Sequence, residues 1–365
     1  MKWSSFPYVV QKEILDHLSI NNLFFFSLCS KRTKNFIVQT QKCQFHQKVE
    51  HVNYWIGKVE TLISVKRASR RDCDLVMGFY TTPAEFAMTL SGHEGAVSIE
   101  EIRVNVLGVA IQFFRSRRTR SDLHVKCRYE NLEATMEIIH NCLNDVLGHD
   151  TKSWLSSGSE QTYCLPKLRN IQMLALYGGR IEPQRIDRLL SRTARFEYLS
   201  TTMCNETENG SRGNLKLYDA DTVYAFLLGG NIAKNFIEHF SGRHLFISAF
   251  DIYPPHVASF LNAWRSGEKF RNIEVICVEN RYFYLPYIRH FVEFKEVNTE
   301  VEYSFVRRFQ ERDPESSRNQ PWEFKSNLYM VRESDGHVAS VMLTHARIFM
   351  GVWDLTEAQF LQRFQ

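Results

Sequence analysis

The 365-residue sequence predicts a mixed α+β or α/β protein with three parts: a small module of three helices, a body of alternating strands and helices, and a C-terminal antiparallel β-meander. Three observations predict this class. Apolar residues recur every three or four positions between Phe6 and Val38, which is typical of short helices. Strand-like and helical patterns alternate from Asp122 onward, and the pair Asp335-Gly336 separates two strand-like segments near the C-terminus.

The first helix is predicted from Pro7 onward. Proline fixes φ near its helical value and lacks an N–H that the first helical turn would leave unpaired. Val10, Ile14 and Leu18 follow at four-residue intervals, and Leu15 widens the apolar stripe.

Two further helices follow at once. Asn21 or Asn22 can cap the second helix, whose residues 23–28 are almost all apolar, and Ser30 can cap the third, which carries Phe36. A segment this small cannot bury so much apolar surface alone. The surplus is therefore predicted to pack either against another protein or against the rest of this chain.

The body is predicted to alternate between strands and single helices. Strands separated by single helices favour parallel pairing, since the crossover helix returns the chain to the same edge of the sheet. The arrangement resembles a stack of leucine-rich repeats, and a compact α/β sandwich is the competing architecture. The predicted strands are 62–65, 97–114, 123–129, 171–177, 196–200, 244–250 and 273–278, and the predicted helices are 133–147, 182–192 and 255–265.

The C-terminal segment is predicted to form three antiparallel strands, at 327–332, 338–343 and 347–353. Asp335-Gly336 supplies the positive φ that a tight turn between the first two strands requires.

The N-terminal module resembles an F-box. Phe6-Pro7 matches the Leu-Pro of that motif, Ile14-Leu15 matches its Ile-Leu pair, and Leu23 matches the start of its second helix. The resemblance implies docking onto a Skp-like adaptor protein and, through it, onto a cullin. The adaptor-binding residues it implies are Phe6, Pro7, Ile14, Leu15, Leu23, Phe26, Leu28 and Phe36.

The C-terminal strands resemble the end of the F-box-associated domain of nematode-type F-box proteins. The matches are Asp335-Gly336, the Ala-Ser-Val of residues 339–341 and the Phe-Met-Gly-Val-Trp of residues 349–353. The predicted organisation is an F-box at 1–40, a bridging region at 41–121, an α/β body at 122–312 and the closing meander at 322–365.

Together, the two resemblances imply a substrate-recognition subunit of a ubiquitin ligase. In this interpretation the chain is not an enzyme, and its α/β body binds a protein substrate of unknown identity.

Catalytic, cofactor and metal sites are not predicted. Cys43, His46 and His51 are the closest approach to a metal cluster, but their spacing fits no familiar zinc site, and solvated helix residues are the favoured interpretation. The sequence also lacks the glycine-rich phosphate loop of nucleotide-binding proteins.

The alternative function is nucleic-acid binding. Arg115, Arg117, Arg118 and Arg120 form one of the two densest basic segments, but no aromatic residues alternate with them as in single-strand binding platforms. The net charge of +4 is too small to select a partner class. A solvated basic loop is therefore favoured, and a nucleic-acid partner is considered unlikely.

The expected location is the cytoplasm or the nucleus. Eight cysteines are scattered without paired spacing, which is typical of a reducing compartment. Lys12, Glu13 and Asp16 interrupt the N-terminal apolar pattern, so no signal peptide is predicted, and no membrane partner is expected.

Overall fold

A computed structural model describes most of the chain and divides it into two compact units. Unit 1 comprises residues 1–179 and 192–194, and unit 2 comprises residues 180–191 and 195–365. None of the described helices is long and apolar enough to cross a membrane. The described residues are 5–57, 60–67, 73–80, 99–106, 109–116, 123–126, 129–158, 166, 168–181, 183–191, 197–204, 215–228, 232–250, 252–280, 285–305 and 322–364.

Three helices open unit 1, as predicted: α1 (Tyr8–His17), α2 (Ile20–Cys29) and α3 (Lys31–Lys48). Pro7 is the N-cap of α1. Ser30 caps α3 as predicted, because its Oγ accepts a hydrogen bond of 3.0 Å from the Thr33 N–H.

The predicted cap of α2 is wrong. The N-cap is Ser19, and Asn21 and Asn22 lie in the first turn of the helix instead. The Ser19 Oγ accepts a hydrogen bond of 2.8 Å from Asn22 Nδ2, so these polar side chains still meet at the helix start.

The rest of unit 1 is a mixed sheet with one long helix. Its elements are β1 (Val49–Ile56), β2 (Glu60–Arg67), β3 (Cys73–Tyr80), β4 (Ile99–Val106), β5 (Val109–Ser116), β6 (Leu123–Lys126), α4 (Tyr129–Leu147), β7 (Lys152–Ser157) and β8 (Ile171–Ile181). Along the sheet the strand order is β8-β7-β1-β2-β3-β6-β5-β4. The pairs β1–β7, β7–β8 and β3–β6 are parallel, and the other neighbours are antiparallel.

Unit 1 confirms some predicted elements and corrects others. The helical stripe of Met136, Ile139 and Leu143 is buried on α4, which ends before Gly148 as predicted. The single apolar run predicted at 97–114 is instead two antiparallel strands, β4 and β5. A continuous apolar run looks the same whether it forms one strand or two, since only the turn between them distinguishes the cases.

Unit 2 begins with alternating strands and helices, as predicted, and ends with antiparallel strands and a helix. Its elements are α5 (Pro183–Leu190), β9 (Tyr198–Cys204), a 3-10 turn (Lys216–Asp219), β10 (Thr222–Leu228), α6 (Ile232–His239), β11 (His244–Ala249), α7 (Pro254–Ser266), β12 (Val275–Glu279), a second 3-10 turn (Leu285–His290), β13 (Lys295–Phe305), β14 (Trp322–Val331), β15 (His337–Leu343), β16 (Arg347–Thr356) and α8 (Glu357–Phe364).

These strands form one mixed sheet in the order β13-β14-β15-β16-β12-β11-β10-β9. The strands β9 to β12 pair in parallel, as predicted for strands that alternate with helices, although β10 was not among the predicted strands. The predicted antiparallel meander is confirmed as β14, β15 and β16, and β13 extends it. The leucine-rich-repeat-like arrangement is not confirmed, and the described connections between β9 and β12 range from a 3-10 turn to the 13-residue α7.

Strand β16 joins the parallel and antiparallel parts, because it pairs with both β12 and β15. Ile348, Phe349 and Met350 are all buried in succession, so both faces of β16 are covered here. Gly336, with φ of +74°, completes the turn between β14 and β15 in the conformation predicted for Asp335-Gly336.

Candidate functional site

The first two turns of α1 carry a group of exposed apolar side chains. Tyr8, Val9, Val10 and Ile14 are 61%, 74%, 41% and 37% exposed, respectively. Val10 and Ile14 are four residues apart and therefore lie next to each other along the helix. We call these four residues the α1 patch. Large apolar side chains grouped at this exposure are typical of surfaces that bind another protein.

The other apolar residues of the three helices are buried. Leu15 on α1 is 0% exposed, and Leu23, Phe24 and Ile37 on α2 and α3 are 3%, 1% and 0% exposed. The helix α2 contacts α3, α4 and β3, and α3 contacts α4 and β1. The apolar residues of the three helices are therefore used in two ways. The helices α2 and α3 pack against the rest of unit 1. Among the described residues of this module, only α1 exposes large apolar side chains to solvent.

Polar contacts also fix the three helices in unit 1. The Lys34 ammonium on α3 lies 2.6 Å from the Asp145 carboxylate on α4, and both side chains are partly buried. Gln41 on α3 donates a hydrogen bond of 2.6 Å to the Asp16 carboxylate on α1. The α1 patch is therefore carried by a helix that is anchored to the body of unit 1.

The eight residues predicted to bind the adaptor fall into three groups. Pro7 and Ile14 are exposed. Leu15 and Leu23 are buried and support the patch from inside the fold. The half-buried residues are Phe6, Phe26, Leu28 and Phe36.

The site prediction omitted Tyr8, Val9 and Val10, although these side chains are the most exposed of the patch. An available signal was the apolar run of residues 8–10 directly after Pro7 in the sequence. The ring of Tyr8 also makes an edge contact with Phe36, with ring centroids 5.7 Å apart.

A second candidate site is a cleft of about 530 Å³ in unit 2. Its wall is built where β10, β11 and β12 begin and where β16 ends. The loops before the parallel strands contribute Asp221, Arg243, Arg271 and Glu274. The antiparallel strands and the turn between β14 and β15 contribute Tyr303, Arg332, His337, Val352, Trp353 and Asp354.

One wall of this cleft is an ion-pair cluster. The Arg243 Nε–H donates a 2.9 Å hydrogen bond to Glu274 Oε1, and His244 Nε2 lies 2.9 Å from Glu274 Oε2. Burial favours the neutral carboxyl, but the hydrogen bonds from Arg243 and His244 outweigh it and lower the pKa of Glu274. The charge of Glu274 is thus already matched within the protein.

Another part of the cleft wall holds a buried arginine. Arg332 is 5% exposed, and its Nε–H donates to both oxygens of Asp335, at 2.9 and 3.0 Å. Its guanidinium carbon lies 5.3 Å from the ring centroid of Trp264, and Nη1 donates a 3.0 Å hydrogen bond to the Arg271 carbonyl. Arg332 therefore joins the β14–β15 turn to the end of α7.

The candidate metal residues are not brought together in the part of the chain that the structure describes. Residues 43 and 46 lie on α3, but His51 lies on β1, so its predicted helical, solvated position is wrong. Burial lowers the pKa of His51. No group of residues suited to a metal ion occurs among the described side chains.

The basic segment of the alternative function is only partly described. Arg115 lies near the end of β5, whereas residues 117–120 lie outside the described residues.

Comparison with protein families found one matching family, described as F-box domain, over residues 3–43. Comparisons with curated proteins and with solved structures returned no match. The family match covers α1, α2 and most of α3, the elements that carry and support the α1 patch. An F-box domain is therefore found at residues 3–43, and F-box domains in general mark the non-catalytic substrate-recognition subunits of ubiquitin ligases.

Proposed function

We propose that this chain is a substrate-recognition subunit of a Skp–cullin–F-box ubiquitin ligase. Its F-box docks on a Skp-like adaptor, which links it to a cullin, and its body binds a protein substrate. The chain itself contributes binding and positioning, because holding a substrate close to the ligase raises its effective concentration there.

The observation that carries this proposal is the α1 patch within the matched F-box. Leu15, Leu23 and Phe24 are already buried inside the chain, so they are not needed as a docking surface. Val9, Val10 and Ile14 remain exposed on one helix, and covering them with a partner would remove their apolar surface from water.

The docking surface that we propose therefore differs from the one implied by the motif alone. Pro7 and Ile14 stay in it, and Tyr8, Val9 and Val10 join it. Leu15 and Leu23 act indirectly, since they hold α1 in place. Phe6, Phe26, Leu28 and Phe36 are half-buried and lie at its margin in this proposal.

We also propose a domain family for the C-terminal part of the chain. The turn at Asp335-Gly336 and the strand that contains Trp353 support a C-terminal F-box-associated domain of the nematode type. We further propose a cytoplasmic or nuclear location, which the scattered cysteines support.

The experiment is a pull-down of a purified Skp-like adaptor by the full chain and by two variants, Val10→Asp and Ile14→Asp. Both positions are exposed, so each variant is expected to fold, which thermal unfolding checks. A buried carboxylate in a docked interface is costly, so adaptor binding is expected to fall at least about 10-fold.

Phe291→Asp is the matched control. Phe291 is a similarly exposed apolar residue, 45% against 37% for Ile14, but it lies in unit 2. It is expected to bind the adaptor like the unchanged chain. Normal adaptor binding by both α1 variants would rule out the proposed docking surface, and failure of the unchanged chain to bind the adaptor would rule out the proposed function.

A further inference from the structure

We infer that the cleft of unit 2 binds an extended peptide segment that carries both an acidic and a basic side chain. The inference rests on the proposed function in one respect, namely that the peptide belongs to a substrate protein. The cleft volume, about 530 Å³, lies within the range of roughly 300–1,000 Å³ that is common for binding sites.

Two ion pairs neutralise three of the charged side chains in the cleft walls. Arg243 is paired with Glu274, and Arg332 is paired with Asp335. The hydroxyl of Tyr303 lies 3.3 Å from each of two backbone carbonyls, those of Glu274 and Val352. These contacts fix the walls in one arrangement before any ligand arrives, which lowers the entropy that binding costs.

Arg271 is the cation that remains for a ligand. Its side chain is exposed, and its Nε–H donates a 2.8 Å hydrogen bond to the Gly267 carbonyl. Its own carbonyl accepts the hydrogen bond from Arg332, so both its backbone and its side chain are held. Among the described residues its guanidinium has no carboxylate partner, which leaves the terminal N–H groups available for an acidic side chain.

Asp354 is the corresponding anion. It stands near the end of β16, its carboxylate is fully exposed, and His337 Nε2 lies 3.4 Å from it. Because the carboxylate is fully exposed, it is accessible to a basic side chain of a ligand. Ile273, Val352 and Trp353 add apolar surface to the same cleft.

The mixture of charges selects the class of ligand. A ligand with only negative charge would be repelled by Asp354, and a ligand with only positive charge would be repelled by Arg271. Like charges brought together in an interface oppose binding. A peptide with one acidic and one basic side chain matches both free charges, and its intervening residues can cover the apolar surface.

The test uses the full chain and four pools of fluorescein-labelled octapeptides with random uncharged residues. One pool carries one Glu and one Lys, the second only Glu, the third only Lys, and the fourth no charge. Fluorescence anisotropy at low salt is expected to show the mixed-charge pool binding about 10-fold more tightly than the uncharged pool, since both charges find partners.

Two charge reversals locate the site. Arg271→Glu is expected to bind the Lys pool more tightly than the mixed pool, and Asp354→Lys to bind the Glu pool more tightly than the mixed pool. Arg289→Glu is the control, because Arg289 is also an exposed arginine of unit 2 but does not line the cleft. It is expected to leave the preference for the mixed pool unchanged.

Equal binding of all four pools, or preferences that neither reversal alters, would overturn the inference. The adaptor pull-down is independent of these measurements. If the peptide preference holds while the unchanged chain fails to bind the adaptor, the proposed function is wrong and the peptide site stands. If the adaptor binds and no pool does, the peptide site is wrong and the proposed function stands.

Discussion

The ring of Tyr303 on β13 lies against the backbone of Gly351 on β16, although β14 and β15 separate these strands in the sheet. Three strand spacings in a flat sheet would place the two strands about 14 Å apart. The antiparallel part of the sheet must therefore curl, so that β13 approaches β16. Phe324, Phe349 and Trp353 pack around Tyr303 inside this curl.

Gly351→Ala is expected to destabilise unit 2. A Cβ at this position would overlap the Tyr303 ring, and the ring has little freedom because its neighbours are buried aromatic residues. Overpacking of this kind typically costs about 1–3 kcal/mol of the free energy of unfolding, which urea titration measures. Combining Gly351→Ala with Tyr303→Leu separates the clash from other effects. Gly351→Ala is expected to lower the free energy of unfolding less in the Tyr303→Leu variant than in the unchanged chain. An equal loss in both proteins would contradict the contact between Tyr303 and Gly351.

The Arg332–Asp335 pair is expected to make stability depend on pH. The hydrogen bond from Arg332 is the main reason that the pKa of Asp335 is lowered, from 3.8 to about 2. The stabilisation is fully present above pH 3.8 and is lost as the pH falls from 3.8 towards 2, because only the charged carboxylate is favoured in the folded state. Since Asp335 is 37% exposed, Asp335→Asn is expected to cost only about 1 kcal/mol at pH 7.

The measurement is urea unfolding of the unchanged chain and of Asp335→Asn between pH 7 and pH 3. The difference in the free energy of unfolding between the two proteins is expected to be constant down to about pH 4 and then to decrease. A difference that stays constant to pH 3 would show that the Asp335 charge is not what stabilises the turn. Asp354→Asn is the control, because Asp354 is fully exposed and is expected to change stability little.

His140 on α4 is expected to make unit 1 sensitive to mild acid. Its Nε2 accepts a 3.0 Å hydrogen bond from the Arg169 N–H, so Nδ1 carries the proton and donates to the Tyr54 hydroxyl, 2.6 Å away. Asn144 contacts the same Nε2 at 2.9 Å. Burial lowers the pKa of His140 from 6.5 to about 4.

The free energy of unfolding is expected to fall as the pH falls, because the unfolded chain takes up a proton more readily than the folded chain does. Between pH 6.5 and 4 the unfolded chain binds a proton that buried His140 does not, so the free energy of unfolding is expected to fall by up to roughly 3 kcal/mol over this window. His140→Gln keeps a hydrogen-bond acceptor but loses the imidazole, so it is expected to be less stable than the unchanged chain at pH 7. Because Gln does not titrate, the variant is expected to lose less stability than the unchanged chain between pH 7 and 4.5. Chemical denaturation at both pH values measures this, and an equal loss in both proteins would contradict the role of His140.

The division of the F-box into buried supporting residues and exposed docking residues predicts different effects of substitution at Leu23 and at Ile14. Leu23→Ala removes a buried side chain and is expected to cost about 2–4 kcal/mol of the free energy of unfolding. Ile14→Ala removes a side chain that is 37% exposed and is expected to cost less than about 1 kcal/mol while weakening adaptor binding. Urea unfolding and adaptor titration of both variants check this, and similar stability losses would contradict the division.

The fold could be predicted from the sequence where a local pattern is sufficient. The spacing of Met136, Ile139 and Leu143 predicts the buried face of α4, and Asp335-Gly336 predicts the turn between β14 and β15, because both features depend on neighbours in the chain. The boundary between β4 and β5 was missed, since an apolar run does not show where the chain reverses direction.

The candidate sites were predictable to a lesser degree. The sequence indicated that the first three helices carry more apolar surface than they can bury, and the F-box match at residues 3–43 agrees with the resemblance. It did not reveal the cleft of unit 2, because Arg243, Arg271, Arg332 and Asp354 come from distant segments that only the sheet order brings to one place.

What the sequence by itself determined is the existence of the three N-terminal helices, of strands at the positions of β9, β11 and β12, and of the meander, since each depends on local periodicity and turn residues. Only the tertiary structure decided that Leu15 and Leu23 face inward while Val9, Val10 and Ile14 face solvent. The physical reason is that an apolar side chain is buried by whichever surface approaches it, and the elements that cover α2 and α3 include β3 and α4, which lie far away in the sequence.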